Sequence, residues 1–211
     1  PLDPPRVETL RPLKVFSLDD APHGHMHMKF IDVRVPEENI ILGPGRGFEI
    51  SQGRLGPGRV HHCMRAVGMA EKALELMCRR SISRTAFGRP LAKLGGNYDR
   101  IADARMNIDM ARLLTLKTAW VIDTRGVEEA HLWISKIKAV VPQMTLDIID
   151  NAIQMHGAHG LSQDFPLAGM YMAARTLRLA DGPDEVHRMV VARSELRPYV
   201  KEGSKQNGKH A

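Results

Sequence analysis

A carboxylate between two helical segments is the side chain best placed to do chemistry. Asp181 follows an apolar helical pattern and stands directly before Gly182 and Pro183, a turn pair that precedes another helical pattern. A carboxylate held in a partly desolvated loop can act as a general base, because desolvation raises the pKa of such a group. The same position suits helix capping, in which Asp181 or Asp184 accepts hydrogen bonds from the first amides of the last helix. Spacing alone leaves both interpretations open.

Three glycine-rich stretches invite comparison with phosphate-binding loops. They cover residues 43–47, 55–59 and 157–160, and none matches the dinucleotide fingerprint or the Walker pattern. The first is interpreted as a plain turn. The other two are predicted to adjoin long helices, whose free amides can bind an anion. Arg59 is then expected in the first turn of a helix, where it opposes the helix dipole and suggests an anionic partner.

The histidine-rich segments are interpreted as surface or packing residues, and no metal site is predicted. His23, His25 and His27 alternate along a predicted strand and could face the same way, but alternation alone does not supply a coordination shell. The same interpretation applies to two further pairs, His61 with His62 and His156 with His159.

Composition narrows the class of protein. The 211 residues are 43% hydrophobic and 26% charged, which is typical of a soluble globular protein, and no apolar run approaches the roughly 18 residues of a membrane span. The net charge of +6 suits nucleic acid, an anionic membrane surface or a phosphorylated small molecule. Nucleic acid is disfavoured, because the basic residues are scattered and an aromatic content of 5% provides no stacking platform.

The first 52 residues differ in pattern from the rest. Their prolines break helices, and residues 29–35 alternate polar and apolar side chains, which predicts a half-buried strand. A few strands with an open edge are marginally stable alone. Residues 1–52 are therefore interpreted as the incomplete end of a β domain whose beginning is missing.

Helical periodicity dominates from Gly58 onward. Five helices are predicted over about 58–86, 97–126, 128–155, 170–179 and 183–200, with Pro142 bending the third. Short connections favour an up-and-down helical bundle over residues 53–200, followed by a polar tail, 201–211, that is expected to be disordered. Cys63 and Cys78 should lie roughly 22 Å apart on the first helix, too far to form a disulfide.

Five motifs, in order, resemble the acyl-CoA dehydrogenase family over nearly all of residues 10–198. They are the strand-like segment 30–39 with the turn 43–48, the helix opening 59–70, the flavin motif Arg84-Thr85-Ala86-Phe87-Gly88-Arg89-Pro90, the turn 154–160 and the block 181–193. The segments 20–25, 53–59 and 180–187 resemble the branch of family members ten and eleven. That branch uses Asp where most members carry Glu, one methylene longer.

The resemblance implies the family's fold and chemistry. The fold is mainly α, a C-terminal helical bundle preceded by part of a β domain. Asp181 would remove the α proton of an acyl-CoA thioester while the β hydrogen leaves as hydride to FAD, giving a 2-enoyl-CoA in fatty acid β-oxidation. Arg84 would meet the FAD pyrophosphate of a neighbouring subunit. The other implied cofactor contacts are Phe87, Gln154, Gly157, Gly182 and Glu185, and the implied substrate contacts are Gly56, Gly58 and Arg59.

The resemblance also implies partners and a location. The expected assembly is a homodimer or homotetramer, the expected electron acceptor is an electron-transferring flavoprotein, and the expected compartment is the mitochondrion, with the peroxisome as the alternative. The family's N-terminal helical domain and complete β barrel do not fall within these 211 residues. A second hypothesis is therefore a catalytically silent oligomerisation module of the same family.

Overall fold

The computed structural model describes residues 6–20, 22 and 24–207, with side chains described as far as Val200. His23 and the final residues of the predicted tail, 208–211, lie outside the described residues. The chain divides into two compact units, Pro1–Ser51 and Gln52–Ala211.

The first unit contains a two-stranded antiparallel sheet. Strand β1 (Val7–Leu13) pairs with β2 (His25–Phe30), with Val7 opposite Phe30 and an irregularity between Thr9 and Arg11. The prediction of a strand as far as Val35 is wrong beyond Phe30. Asp32 adopts a left-handed conformation, with a φ of +45°, which turns the chain out of the extended direction.

The second unit is helical. Its helices are α1 (Gly47–Ser83, which begins in the first unit), α2 (Asn97–Arg125), α3 (Val127–His156), α4 (Leu167–Leu177) and α5 (Asp184–Asn207). A short hairpin of β3 (Thr85–Ala86) and β4 (Arg89–Pro90) joins α1 to α2. The predicted bounds of α2 and α3 are confirmed to within a residue. The last helix continues to Asn207 instead of ending near Val200, so the expectation of a disordered tail from residue 201 is wrong for 201–207.

Helix α1 begins well before Gly58, the predicted start. Its first half contains Pro57 and several glycines, which have low helix propensity. Tertiary packing favours the helix there, because Gly56 is buried against α3: a Cβ added at Gly56 would lie 2.8 Å from Val127 Cγ1. The close approach of two helix backbones is invisible to a local pattern.

The core lies among α1, α2, α3 and α4. Its fully buried apolar side chains include Met77, Ile108, Ile137, Ile149 and Leu167. The Thr145 hydroxyl donates to the Ala66 carbonyl at 3.2 Å. Since Gly56 packs near the start of α3 and Ala66 near its middle, α1 and α3 run in the same direction.

Gly126, with a φ of +87°, joins α2 to α3 in a tight turn that makes them antiparallel neighbours. The described helices thus form an up-and-down bundle, which confirms the predicted fold class of a mainly α protein with a small preceding β segment. Within the described residues, no helix combines the length and apolar character needed to cross a membrane.

Candidate active site at one end of the helical bundle

The loop between α4 and α5 has an unusual backbone conformation. Asp181 and Gly182 both have positive φ values, +57° and +108°. A Cβ at residue 182 would lie 2.9 Å from the His187 Nε2 atom, so the position requires glycine for steric as well as conformational reasons. Short polar residues are among the few non-glycine types that adopt the left-handed conformation readily, which suits Asp181.

Lys138 on α3 binds the backbone at the start of this loop. Its side chain is fully buried, and its ammonium donates hydrogen bonds to the carbonyls of Leu177 at 2.5 Å and Ala180 at 2.8 Å. Burial lowers the pKa of Lys138, whereas the thiol of Cys63 and the carboxylates of Asp181 and Asp184 oppose that shift. A cation at the carboxyl end of α4 also interacts favourably with the helix dipole.

Two further side chains fix the main chain of Asp181. The guanidinium of Arg59 donates from Nε to the Asp181 carbonyl at 2.9 Å, and His187 Nε2 lies 3.3 Å from the same oxygen. Burial lowers the pKa of both Arg59 and His187. Helices α1, α3 and α5 therefore each contribute one basic side chain to the loop that carries the carboxylate.

The Asp181 side chain projects towards α1. It is 21% exposed, and its Oδ2 lies 3.4 Å from His62 Nδ1. The same oxygen lies 3.7 Å from the position of a Cβ added at Gly58, so a side chain there would contact the carboxylate. Gly58, Arg59, Asp181 and Gly182 are thus brought together at one end of the bundle, around a partly exposed carboxylate that is held at its backbone and available at its side chain.

The alternative of helix capping finds no hydrogen bond to support it. Among the described residues, neither Asp181 nor Asp184 accepts a hydrogen bond from a backbone amide of α5 through its carboxylate. Asp184 is buried and instead accepts from Arg178 Nε at 2.6 Å. The base role of Asp181 has suitable geometry and remains a prediction.

The two interpretations of glycine-rich stretches as anion sites at helix starts are wrong. Residues 55–59 lie inside α1, where the amides are occupied by the helix, and Arg59 is buried well beyond the first turn. Residues 157–160 follow the carboxyl end of α3 in a short 3-10 turn. A helix end of that kind presents free carbonyls, which repel an anion.

The flavin motif lies at the opposite end of the bundle. Arg59 and Arg84 are separated by the length of α1 that joins them, roughly 37 Å. Arg84 is exposed just beyond α1, and Phe87 at the hairpin tip is 94% exposed with a φ of +49°. Gln154 is exposed in the last turn of α3, and Gly157 follows with a φ of +66°. The structure does not bring these predicted cofactor residues to Asp181.

Two other predicted site residues occupy distinct positions. Gly56 faces α3, so helix packing alone accounts for a glycine at that position. Glu185 is exposed in the first turn of α5. Their assignments to the substrate and cofactor stay predictions.

Sequence reasoning missed Lys138 and His187 and treated His62 as a packing or surface residue. Lys138 carries the clearest signal, because it interrupts the apolar stripe of α3 between Ile134 and Val141 at a spacing that faces the core. A lysine there needs internal hydrogen-bond acceptors. Nothing local to His62 or His187 indicates that both approach Asp181.

Two of the other histidines lie near carboxylates without forming a metal-binding cluster. His25 Nε2 lies 2.9 Å from Asp20, and His159 Nε2 lies 2.8 Å from Asp164. The part of the chain that the structure describes contains no group of three or more histidine, cysteine or acidic side chains able to hold a metal ion.

Comparison with known proteins identifies close relatives. Acyl-CoA dehydrogenase family member 10 of Mus musculus is 57% identical over 197 residues, which are 93% of this chain and 18% of that protein. Acyl-CoA dehydrogenase family member 11 of Rattus norvegicus is 53% identical over 203 residues, which are 96% of this chain and 26% of that protein. The chain therefore spans about a quarter or less of these two relatives, and the predicted likeness to members ten and eleven is confirmed.

A solved structure and a family model agree with this result. The structure of a Mycobacterium abscessus protein assigned to the acyl-CoA dehydrogenases superposes with a TM-score of 0.91 at 56% identity, over 94% of this chain and 49% of that one. The model of the acyl-CoA dehydrogenase C-terminal domain matches residues 45–196, which include all of α1, α2, α3 and α4 and the first half of α5. The chain therefore belongs to the acyl-CoA dehydrogenase family, as its five motifs predicted.

Proposed function

We propose that this chain supplies the C-terminal part of the active site of a flavin-dependent acyl-CoA dehydrogenase. In this role Asp181 removes the α proton of an acyl-CoA thioester, and the product is a 2-enoyl-CoA. The observation that carries the proposal is the arrangement of Arg59, Lys138 and His187, which hold the loop of Asp181 from three helices and leave its carboxylate partly exposed.

The conformation of the loop explains how Asp181 can act as the base although its side chain is shorter than that of Glu. A general base must reach the proton that it removes, and Asp181 is one methylene shorter than Glu. Its left-handed backbone and the hydrogen bonds to its carbonyl fix the direction in which the carboxylate projects. The absence of a side chain at Gly58 leaves room beside Oδ2 for a substrate. A fixed base costs little reorganisation when the reaction begins.

The opposite end of the bundle fits a flavin nucleotide. The Arg84 guanidinium makes no hydrogen bond or ion pair with the described residues, and the Phe87 ring stands in solvent. A free guanidinium suits a pyrophosphate, and an exposed aromatic ring suits contact with a planar ligand. FAD, when bound, would accept the β hydrogen as hydride. Because Arg84 lies far from Asp181, we assign it to the FAD of a neighbouring subunit, in a homodimer or homotetramer.

Replacing Asp181 tests the proposed base. In the full-length protein loaded with FAD, Asp181→Asn should slow flavin reduction by acyl-CoA at least about a hundredfold, the low end of what a positioned base contributes. Asp150→Asn is a matched control, since Asp150 is exposed on α3 away from the loop. Flavin bleaching under anaerobic conditions is the measurement. Undiminished bleaching in Asp181→Asn would exclude this residue as the base.

A second candidate function is assembly without catalysis, and one surface of α2 favours it. Exposed apolar side chains follow each other there at helical spacing and form one stripe: Met106, Met110, Leu113, Leu116 and Trp120. The absorbance spectrum of the chain after addition of FAD and removal of the excess discriminates the two functions. Retained flavin supports the dehydrogenase role of the chain itself, whereas oligomers without flavin support the assembly role.

The wider family context completes the proposal. An electron-transferring flavoprotein is the proposed acceptor of the electrons, and fatty acid β-oxidation in the mitochondrion, or alternatively the peroxisome, is the proposed setting. Transfer of electrons from acyl-CoA to such a flavoprotein, measured by reduction of its flavin, tests the acceptor.

A further inference from the structure

His62 on α1 faces the candidate base without a hydrogen-bond partner. Its Nδ1 atom lies 3.4 Å from Asp181 Oδ2, and both side chains are 21% exposed. The Nδ1 atom itself is buried, and no described atom completes a hydrogen bond with it at an acceptable angle. A buried nitrogen without a hydrogen-bond partner destabilises the folded state, so its retention needs an explanation.

The groups around His62 determine its charge. Burial is the largest influence and lowers the pKa of the imidazole. Arg65 and His61 on the same helix and Lys138 on α3 act in the same direction, and only Asp181 opposes them. His62 is therefore neutral at pH 7, and a neutral imidazole has one nitrogen with a free lone pair. The nitrogen next to Asp181 can accept a proton from a carboxylic acid at this distance after a small rotation.

We propose that His62 is the second proton acceptor of the site, which takes from Asp181 the proton that Asp181 has removed from the substrate. This inference rests on the proposed function. The Cα–H bond of the substrate breaks as an O–H bond forms on Asp181, and the electron pair of that bond becomes the second bond between Cα and Cβ. The Cβ–H bond breaks as well, and its hydrogen would leave with that bond's electron pair as hydride to the flavin. The O–H bond then breaks as an N–H bond forms on Nδ1, which gives an imidazolium and restores the carboxylate.

The surroundings make this transfer temporary. Burial and the positive charges of Arg65 and Lys138 disfavour the imidazolium, so the proton passes on to water through the exposed part of the ring. Asp181 is then ionised again before the next substrate binds. Asp181, held by its backbone, has no other titratable acceptor within ion-pair distance among the described residues, which makes His62 the route for this proton.

The variant His62→Asn separates proton transfer from simple orientation of the carboxylate. An asparagine amide reaches the position of Nδ1 and can hydrogen-bond to Asp181, but it cannot accept a proton at neutral pH. In the full-length protein loaded with FAD, we expect His62→Asn to slow steady-state turnover of a saturated acyl-CoA with an artificial electron acceptor at least about tenfold, because Asp181 then keeps the proton of the preceding turnover. The control is His131→Asn, an exposed histidine on α3, which should match the wild type.

The pH profile provides the second readout. In the wild type, the steady-state turnover rate should fall as the pH drops through the pKa of His62, which burial holds below the ordinary histidine value, because a protonated His62 cannot accept a further proton. His62→Asn should lack this acid limb. A wild-type rate and an unchanged limb in His62→Asn would contradict the inference, and with Asp181→Asn inactive they would leave the proposed function intact. An active Asp181→Asn would contradict both.

A measurement without catalysis tests the contact itself. The titration of His62, followed by NMR of the unliganded protein, should move to lower pH in Asp181→Asn, because the carboxylate is the one group that favours the imidazolium. An unchanged titration would show that the two side chains are not coupled and would overturn the inference.

Discussion

The two ends of the helical bundle differ in how firmly the fold holds their predicted site residues. At the Asp181 end, buried Arg59, Lys138 and His187 bond to the backbone of one loop. At the Phe87 end, the predicted cofactor residues are exposed, and Arg84 bonds through its side chain to no described residue. The first end is organised by the chain itself. The second presents groups to a ligand or another subunit, so its side chains should contribute little to the stability of the fold.

The largest effect on stability is expected from removing the Lys138 ammonium, which donates to backbone carbonyls next to Asp181. Lys138→Met leaves the carbonyls of Leu177 and Ala180 buried without donors, which should lower the free energy of unfolding by about 3 kcal/mol. Urea denaturation measures this change in the free energy of unfolding. Lys136→Met is the control, since Lys136 lies over the Trp133 ring and donates to no buried carbonyl, and it should change stability by less than about 0.5 kcal/mol. Equal losses in both variants would contradict the role of Lys138.

A pair of glycine substitutions tests the packing that brings α1 to α3 at the same end. Gly56→Ala introduces a Cβ 2.8 Å from Val127 Cγ1, and the overpacking should cost about 2 kcal/mol. Gly68→Ala on the same helix meets no atom within 4 Å and should stabilise the protein by up to about 1 kcal/mol. Thermal unfolding compares them. Stabilisation by both would show that α1 can move away from α3 at no cost.

Acid should weaken the Asp181 end. Burial lowers the pKa of His62 and His187 in the folded state, so the unfolded chain binds protons at higher pH than the folded one. The contribution of these histidines to stability is complete above about pH 6.5, the unfolded value, and is lost as the pH falls through the lower folded values. His187→Gln should flatten this pH dependence in urea titrations.

The smallest effect on stability is expected at the opposite end. Arg84→Ala and Phe87→Ala should each change the free energy of unfolding by less than about 0.5 kcal/mol, because their side chains are exposed. Retention of FAD by the full-length protein should nevertheless fall in both variants. A stability loss as large as that of Lys138→Met would remove the contrast between the two ends.

Much of this architecture follows from the sequence. Glycines and helical periodicity bound α2 and α3, because a glycine at a helix end and an apolar stripe are local features. The loop of Asp181 and Gly182 was likewise predictable, since a helix end, a carboxylate and a Gly-Pro turn occur together. Family motifs added the roles predicted for Arg84 and Phe87, which no spacing rule provides.

Tertiary structure decided the start of α1 and the surroundings of Asp181. Packing of Gly56 on α3 makes a helix of a segment that local propensity disfavours. Lys138 donates to carbonyls 39 and 42 residues away in the sequence, and His62 on α1 contacts Asp181 in the loop between α4 and α5. Local periodicity determines which face of a helix is buried, but contacts between distant residues depend on how the helices pack. The sequence thus identified the carboxylate, and the packing of α1, α3 and α5 determined what holds it and what it faces.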